Sequence, residues 1–286
     1  MIKFQGALRR VVPSAPRLTY NPVFKSFVNL FDLLPTRLYP EFAKMPPNHL
    51  RIRVGLGSSI LKSIVANHAY YLTVGKNFWI HAFHLGLCQL HSTIVDIGCG
   101  CGRYAHHLRD YRFKSETFTG RYIGVDIDDE MLQWCRRSFD AERFEFHRSS
   151  HASSVYGNLD NGTANAYYVL PVKGETVDLV FSTSLFTHLL EKDLTNYCRE
   201  GYRVLKQGGF MAMYCFCLDA LPPTYGTRHT FAHRVGNAHV ESVFYPEAAV
   251  AYDQKFLFEV ARGAGFTTVE LVSGPEDLQP MLLCRK

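Results

Sequence analysis

The sequence predicts an α/β fold: an open, mostly parallel sheet with helices on both faces, preceded by an N-terminal helical cap. Two observations predict it. From Thr93 onward, short β-forming apolar runs alternate with amphipathic runs of helical length, which is typical of parallel strands joined by helices. The first strand also leads directly into a glycine-rich turn, the connection at which open α/β sheets bind nucleotide-like ligands.

The elements follow this alternation in order. Apolar runs predict strands near 93–97, 121–126, 142–147, 177–182, 208–216, 266–272 and 279–284. Helical periodicity predicts helices near 57–90, 102–111, 128–138, 191–205 and 252–264. The connections 148–176 and 218–250 are predicted as long loops, and the hairpin after Gly274 is expected to be trimmed.

The glycine-rich turn follows the first predicted strand. Its glycines alternate at Gly98, Gly100 and Gly102, and a helix-like segment follows them. Glycine adopts backbone angles that are closed to other residues, and a helix start offers free N–H groups to a ligand. The turn therefore predicts a cofactor site.

Asp96 bears on which cofactor is bound. The residues from Gly100 to Ala105 also fit the G-x-G-x-x-A fingerprint of dinucleotide-binding proteins. A carboxylate two residues before the first glycine would repel a pyrophosphate, whereas it suits a ligand with a cationic amine. A second acid, Asp126, lies 24 residues after Gly102, close to the spacing at which an acid meets ribose hydroxyls. An NAD-dependent oxidoreductase is therefore disfavoured.

Asp96, the alternating glycines and Asp126 together resemble the class I S-adenosylmethionine (SAM)-dependent methyltransferases. Residues 177–188 are similar to the fourth strand of that family and its following loop, and 202–209 to the approach to its fifth strand. The resemblance covers roughly residues 85–286. It implies a Rossmann-like, seven-stranded sheet, SAM as the cofactor and methyl transfer as the activity.

The resemblance also implies roles for single residues. The turn would bind the methionine part of SAM and the acid of the second strand its ribose. The cofactor-binding residues implied are Asp96, Gly98, Gly100, Gly102, Asp126, Ile127 and Ser182. The family often has an acid after its third strand, near the adenine. No acid lies in 147–151, so the partner of the adenine amine is left open.

A second resemblance concerns the acceptor. Residues 244–266 and 46–51 are similar to a bacterial subgroup associated with glycan or natural-product tailoring. It favours a hydroxyl of a small molecule or sugar as the acceptor. The alternatives are methylation of nitrogen or carbon, or a non-catalytic SAM-binding partner subunit. Many N-methyltransferases have an N-P-P-[YF]-like loop after the fourth strand. This chain has Ser182-Thr-Ser-Leu185 there, which argues against that pattern.

Two histidines are the candidate catalytic bases. An oxygen acceptor must lose its proton, and histidine is the usual base near neutral pH. His188 lies just beyond the fourth strand, where the family also has a histidine, and His151 lies in the loop after the third strand. The alternative role for His188 is packing or capping of its loop.

A metal site is not predicted. His229 and His233 could share one helical face, but prolines and glycines nearby argue against a long helix, and no acid completes a ligand set. These two histidines and His239 fit a polar acceptor pocket instead.

Composition excludes several other classes. The net charge of +5 is mild, and basic clusters flanked by aromatic residues are absent outside the N-terminus, so a nucleic-acid partner is not expected. No apolar run reaches the length of a bilayer span, and no signal peptide is visible. Eight cysteines without disulfide-framework spacing favour reduced thiols and a cytoplasmic protein. The oligomeric state is left open.

Residues 1–90 are predicted to form a basic leader and a helical cap, and 91–286 the SAM-binding methyltransferase domain. The leader contains no acid before Asp32, which indicates an exposed segment or, as the alternative, contact with an anionic surface. One helical face is predicted to pack against the fold, with a membrane-surface helix as the alternative. That face consists of Phe24, Phe27, Val28, Phe31 and Leu34.

Overall fold

The computed structural model describes residues 19–54, 67–113, 115–149, 168–221, 229–274 and 279–286. The α-helices in these ranges are α1 (Pro22–Asn29), α2 (Leu33–Leu38), α3 (Pro40–Ala43), α4 (Asn48–Arg51), α5 (His68–His84), α6 (Arg103–Arg109), α7 (Asp129–Ser138), α8 (Glu191–Val204) and α9 (Gln254–Ala264). Short 3-10 helices occur at Leu30–Asp32, Ile52–Val54, Leu218–Ala220 and Pro246–Ala248. Within the described part of the chain, no helix is both long enough and apolar enough to cross a bilayer.

In the described ranges, the strands form one large sheet and two small ones. They are β1 (Thr93–Ile97), β2 (Arg112–Phe113), β3 (Glu116–Thr117), β4 (Arg121–Asp126), β5 (Phe144–Arg148), β6 (Val177–Ser182), β7 (Leu205–Tyr214), β8 (Phe216–Cys217), β9 (His233–Val235), β10 (Ala238–Val240), β11 (Val250–Tyr252), β12 (Thr268–Val272) and β13 (Met281–Arg285). The large sheet has seven strands in the order β12-β13-β7-β6-β1-β4-β5.

The large sheet confirms the predicted fold class. The pairs β1–β6, β6–β7 and β4–β5 are parallel, and β13 runs antiparallel to both β7 and β12. The order of the strands changes direction at β1, and open α/β sheets bind ligands at the carboxyl ends of strands beside such a point. All residues from Ile94 to Ile97 are buried, so both faces of β1 are covered, as in other parallel sheets.

The helices that join these strands follow the predicted periodicity. In α8, one side is buried, formed by Leu194, Tyr197, Cys198, Gly201 and Val204. The helix α7 begins after Asp128, whose side chain accepts hydrogen bonds from the backbone N–H groups of Glu130 and Met131. The helix α5 ends at His84 rather than at the predicted residue 90, because Gly86 adopts a φ of 67° and stops the helix.

The N-terminal region is helical, but the predicted single face is wrong in part. The helical run from Pro22 to Leu38 passes through a 3-10 turn at Leu30–Asp32, and this turn changes the helical phase. Val28 is buried, whereas 55% of Phe27 and 65% of Leu34 are exposed. The run therefore has apolar side chains on its inner and its outer side.

The prediction of a long loop over residues 218–250 is also wrong. Its described part contains β9, β10 and the start of β11, and these strands join β8 in a four-stranded sheet of order β8-β11-β10-β9. Strands of two or three residues are too short to produce a readable alternation. The C-terminal hairpin is not trimmed, since β12 and β13 pair over five residues.

Contacts divide the chain into two compact units. One contains Ser92–Gly98 and Ser149–Lys286, and the other contains Val12–His91 and Cys99–Arg148. The boundary at residues 90 and 91 stays a prediction.

Candidate functional site

The glycine turn has the backbone that its sequence predicts. Gly98, Gly100 and Gly102 have φ values of 84°, 54° and 74°, all in the left-handed region that favours glycine. Gly102 is the N-cap of α6, and its N–H donates to the carbonyl oxygen of Cys99 at 3.0 Å. The alternating glycines are therefore required by the turn itself.

Residues of the N-terminal region pack tightly against Gly100. A Cβ atom on this glycine would lie 2.5 Å from Cγ1 of Val54, far inside van der Waals contact. The hydroxyl of Tyr71 donates to the carbonyl oxygen of Cys101 at 3.2 Å, and Arg103 donates to the carbonyl oxygen of Val54. A side chain at position 100 has no room.

Asp126 lies at the carboxyl end of β4, bonded to the turn. The N–H of Gly100 donates to its Oδ2 at 2.7 Å, and the N–H of Asp128 donates to its Oδ1 at 2.9 Å. Burial raises the pKa of Asp126 to about 6, since the protein around the carboxyl group disfavours its charge. Both oxygens keep lone pairs for further donors, such as a pair of hydroxyls.

Asp128 is bonded to the N-terminal region, a feature that the sequence did not reveal. Its Oδ2 accepts hydrogen bonds from the hydroxyl of Tyr20 at 2.8 Å and from Nη1 of Arg53 at 3.0 Å. The guanidinium of Arg53 also contacts Glu130 at 2.7 Å and lies 3.9 Å from the centre of the Tyr20 ring. Tyr20 and Arg53 therefore both hold Asp128, which lies two residues after Asp126.

In the other unit, two polar side chains lie at the ends of neighbouring strands. Asp96 is fully buried on β1, where its Cα is in register with that of Phe181 on β6. Ser182 ends β6 and is also fully buried. Among the described residues, its Oγ has no hydrogen-bond partner. An unsatisfied buried hydroxyl costs free energy, so a polar ligand group at Ser182 would be stabilising.

The loop after β6 is fixed by hydrogen bonds to its own backbone and to β11. Ser184 adopts a φ of 63°, unusual for a residue with a side chain, and its carbonyl oxygen accepts from Oγ1 of Thr187 at 2.6 Å. The N–H of Val250 donates to the carbonyl oxygen of Thr187 at 2.7 Å. Leu185 fills the space beside Gly98, where a Cβ would lie 3.2 Å from that of Leu185.

His188 lies at the end of this loop. A hydrogen bond of its ring defines the tautomer. Its Nδ1 lies 2.8 Å from the carbonyl oxygen of Glu247. A carbonyl oxygen only accepts, so Nδ1 bears the hydrogen and Nε2 of the neutral ring is an acceptor. Burial lowers the pKa of His188 below its usual value, which keeps the ring neutral at neutral pH. A neutral imidazole with a lone pair at Nε2 has the form of a general base.

The other predicted residues lie in different settings. Ile127 is half-buried next to Asp126, and His151 lies outside the described residues. His229 stacks on Phe231 with ring centres 5.6 Å apart, whereas His233 is exposed on β9 and His239 lies on β10. Over the ranges that the structure describes, no group of three or more His, Cys, Asp or Glu residues could hold a metal ion.

A protein-family model matches the part of the chain that contains these strand ends. Residues 95–213 match the model described as a methyltransferase domain. This stretch, which is less than half of the chain, is therefore similar to a methyltransferase domain. The match supports methyl transfer as the activity, with SAM as the cofactor.

Several solved structures are similar to this chain. The PH0226 protein from Pyrococcus horikoshii aligns over 80% of this chain and 99% of its own, with 16% identity and a TM-score of 0.51. A SAM-dependent methyltransferase from Methanosarcina mazei aligns over 71% of this chain and 96% of its own, with 15% identity and a TM-score of 0.48. One from Aquifex aeolicus aligns over 75% and 90%, with 16% identity and a TM-score of 0.44.

The polar groups at these strand ends agree with the match to a methyltransferase domain. A buried hydroxyl at Ser182 without a partner and a carboxyl at Asp126 with free lone pairs are both polar groups suited to a ligand. The glycine turn has the left-handed backbone angles that glycine adopts without strain.

Proposed function

We propose that the protein transfers a methyl group from SAM to a hydroxyl of a small molecule or sugar, with His188 as the general base. One observation is the main support: Nδ1 of His188 donates to the carbonyl oxygen of Glu247 and leaves Nε2 as an acceptor. An amine acceptor is nucleophilic when neutral, whereas a hydroxyl needs a base, so a half-buried, neutral histidine favours oxygen as the acceptor atom.

The cofactor is assigned to the residues that the family resemblance implies. The carboxylate of Asp126 would accept hydrogen bonds from the ribose hydroxyls, and Ile127 would lie against the adenine. Asp96 and the glycines Gly98, Gly100 and Gly102 would bind the methionine part, whose ammonium group suits a carboxylate. The hydroxyl of Ser182 would lie near the methyl group. The raised pKa of Asp126 supports its role, because a ligand that donates to the carboxylate would stabilise the charge that burial disfavours.

The protein's own contribution to the reaction is alignment and proton removal. Bound SAM supplies a methyl group on a sulfonium, which is already a good leaving group. His188 would accept the acceptor's proton at Nε2 as the hydroxyl oxygen forms its bond to the methyl carbon. The Glu247 carbonyl would hold the ring in orientation and stabilise the imidazolium that forms. His151 is the second candidate for this role.

The buried cysteines support a reducing compartment such as the cytoplasm. All eight cysteines have buried side chains. Burial of this kind keeps thiols out of disulfide exchange, and it agrees with a protein that acts where thiols stay reduced.

The test first identifies the acceptor atom. Wild-type protein is incubated with SAM and a panel of methyl glycosides, phenols and aliphatic amines, and S-adenosylhomocysteine (SAH) release is measured. Mass spectrometry then locates the methyl group. Methylation of hydroxyl oxygens supports the proposal, whereas turnover of amines alone, or of carbon acids alone, would contradict it.

The second step tests the base. His188→Gln is expected to lower kcat on the hydroxyl acceptor by about 10²- to 10⁴-fold, the usual contribution of a general base. SAH affinity should stay the same, because His188 is not assigned to the cofactor. His84→Gln replaces an exposed histidine on α5 and is the matched control. Undiminished turnover by His188→Gln would remove His188 from the reaction, and His151→Gln, assayed in parallel, would then show whether the other candidate acts.

A further inference from the structure

The helical run from Pro22 to Leu38 has an outer surface that is mostly apolar, and its exposed polar residues are Ser26 and Arg37. The apolar side chains of this surface, with that of Tyr39 just after α2, are each between 52% and 77% exposed. We call this set the outer apolar face: Val23, Phe27, Leu30, Leu33, Leu34, Leu38 and Tyr39. Soluble proteins scatter single exposed apolar side chains, but a contiguous set usually marks a site of interaction.

This face is distinct from the side of the run that packs inward. Val28 is buried, and Phe24 and Phe31 are half-buried. Val23, Phe27 and Leu30 follow the spacing of a different face of the same helix. Apolar side chains on two faces of one helical run fit two apolar environments. The fold provides one of them.

The sequence that precedes the face is positively charged. The carboxylate of Asp32 contacts Arg51 at 2.6 Å and His68 at 2.9 Å, and Lys25 is paired with Glu130, so these charges are balanced within the protein. Arg37 is exposed on α2, and Glu41 is the exposed acid nearby. The chain before the face adds four basic residues and no acid, at Lys3, Arg9, Arg10 and Arg17.

We propose that the outer apolar face docks on the surface of a lipid bilayer that contains anionic lipids. Apolar side chains of an interfacial helix enter the boundary between headgroups and acyl chains, and basic residues nearby are attracted to anionic headgroups. Tyr39 has the apolar ring and polar tip that suit this boundary. The run is too short to span a bilayer, so it would lie in the plane of the surface. This inference is independent of the acceptor.

The test measures binding to vesicles by flotation. Vesicles are made of phosphatidylcholine alone, or of phosphatidylcholine and phosphatidylglycerol at about three to one, an anionic content near that of cytoplasmic leaflets. Wild-type protein is expected to float with the anionic vesicles and to bind the neutral ones at least about 10-fold more weakly.

The variant Leu30→Gln/Leu34→Gln removes two outer side chains without adding charge. It should bind the anionic vesicles at least about 10-fold more weakly, because two leucines no longer enter the bilayer. The matched control is Ile80→Gln/Leu85→Gln, at positions that are 54% and 47% exposed elsewhere, and it should bind like wild type. If the first variant does not fold, Val23→Gln/Leu38→Gln tests the same face.

Three results would overturn the proposal. Wild-type protein could fail to bind anionic vesicles. Leu30→Gln/Leu34→Gln could bind as well as wild type, which would leave the basic leader as the only attraction. Light scattering without lipid could instead show a wild-type dimer that the same variant separates, which would make a second copy of the chain the occupant of this face.

Discussion

The carboxyl end of β4 and the loop after β6 each hold one side chain in a fixed orientation. The groups that hold these two side chains differ in their chemistry. Asp126 is bonded to the backbone of a turn that only glycine can form, with Gly100 at a φ of 54°. His188 is oriented by the carbonyl oxygen of Glu247. Every residue has a backbone carbonyl oxygen, so the hydrogen bond that orients His188 requires no particular residue type at its acceptor. A site that needs glycines or a specific side chain therefore shows a sequence motif, whereas a site held by a backbone carbonyl does not.

This difference explains why the cofactor could be predicted and the acceptor could not. The β4 end is built from glycines and a carboxylate, and these residue types form a recognisable motif in the sequence. The β6 loop depends on β11 and on the 3-10 turn at Pro246–Ala248, which come from a region that reads as a loop. Variants of each region should therefore change different measured quantities.

The largest effect is expected for Gly100→Ala. Its Cβ would lie 2.5 Å from Cγ1 of Val54, in a backbone conformation that alanine rarely adopts. SAH affinity, measured by calorimetry, should fall by at least about 100-fold, as a misplaced turn costs roughly 3 kcal/mol. The control is Gly263→Ala in α9, where nothing lies within 4 Å of the new Cβ. It should keep affinity and stabilise the helix by up to about 1 kcal/mol. Equal affinities would remove the turn from the binding site.

Arg53→Met tests whether the N-terminal region supports the β4 end. The guanidinium side chain is 4% exposed and pairs with Asp128, whose side chain is 8% exposed. Removing one partner leaves a buried carboxylate without its counter-charge, so the free energy of unfolding should fall by about 3 kcal/mol. Urea denaturation measures it. Arg121→Met removes a surface pair with Glu145, in which Arg121 is 56% exposed, and should cost less than about 1 kcal/mol. A loss at Arg53 no larger than this control would contradict the support.

Asp126 should make cofactor binding depend on pH. Its pKa is about 6 in the free protein, and donors on a ligand would bind the carboxylate form. Protons therefore compete with the ligand, and SAH affinity should weaken as the pH falls below 6, by at most about 10-fold per pH unit. Asp126→Asn should bind about 10- to 100-fold more weakly at pH 7 and lack this dependence. A wild-type affinity that stays constant from pH 7 to pH 5 would show that Asp126 does not bind the ligand as a carboxylate.

The smallest effect is expected for Tyr252→Phe, which perturbs only the β6 loop. The buried hydroxyl donates to the carbonyl oxygen of Leu189 at 3.0 Å, next to His188. Losing this bond should cost about 1 kcal/mol of stability and lower kcat, with SAH affinity unchanged. Tyr70→Phe, at an exposed tyrosine on α5, is the control. A change in SAH affinity equal to that in kcat would show that the two regions are not separable in function.

The sequence predicted most of the large sheet because its strands are buried and continuous. The bounds of β1, β4 and β6 agree with the predicted ones, and Asp126 has the turn contacts that its position implies. The small sheet was missed because β8 and β11 are short and pair across a long stretch of chain. The contacts of Tyr20 and Arg53 with Asp128 join residues 108 and 75 positions apart, and no local pattern marks such pairs. The exposure of Leu34 was missed because the 3-10 turn at Leu30–Asp32 shifts the helical phase, whereas Phe27 precedes this turn and lies on the exposed side of α1.

One calorimetric experiment tests the central claim most directly: SAH titrated into wild type, Asp126→Asn and His188→Gln under the same conditions. The account predicts that wild type binds SAH, that Asp126→Asn binds about 10- to 100-fold more weakly, and that His188→Gln stays within about twofold of wild type. A wild-type protein that does not bind SAH, or a His188→Gln variant that loses as much affinity as Asp126→Asn, would contradict the assignment of the cofactor to the β4 end and of catalysis to the β6 loop.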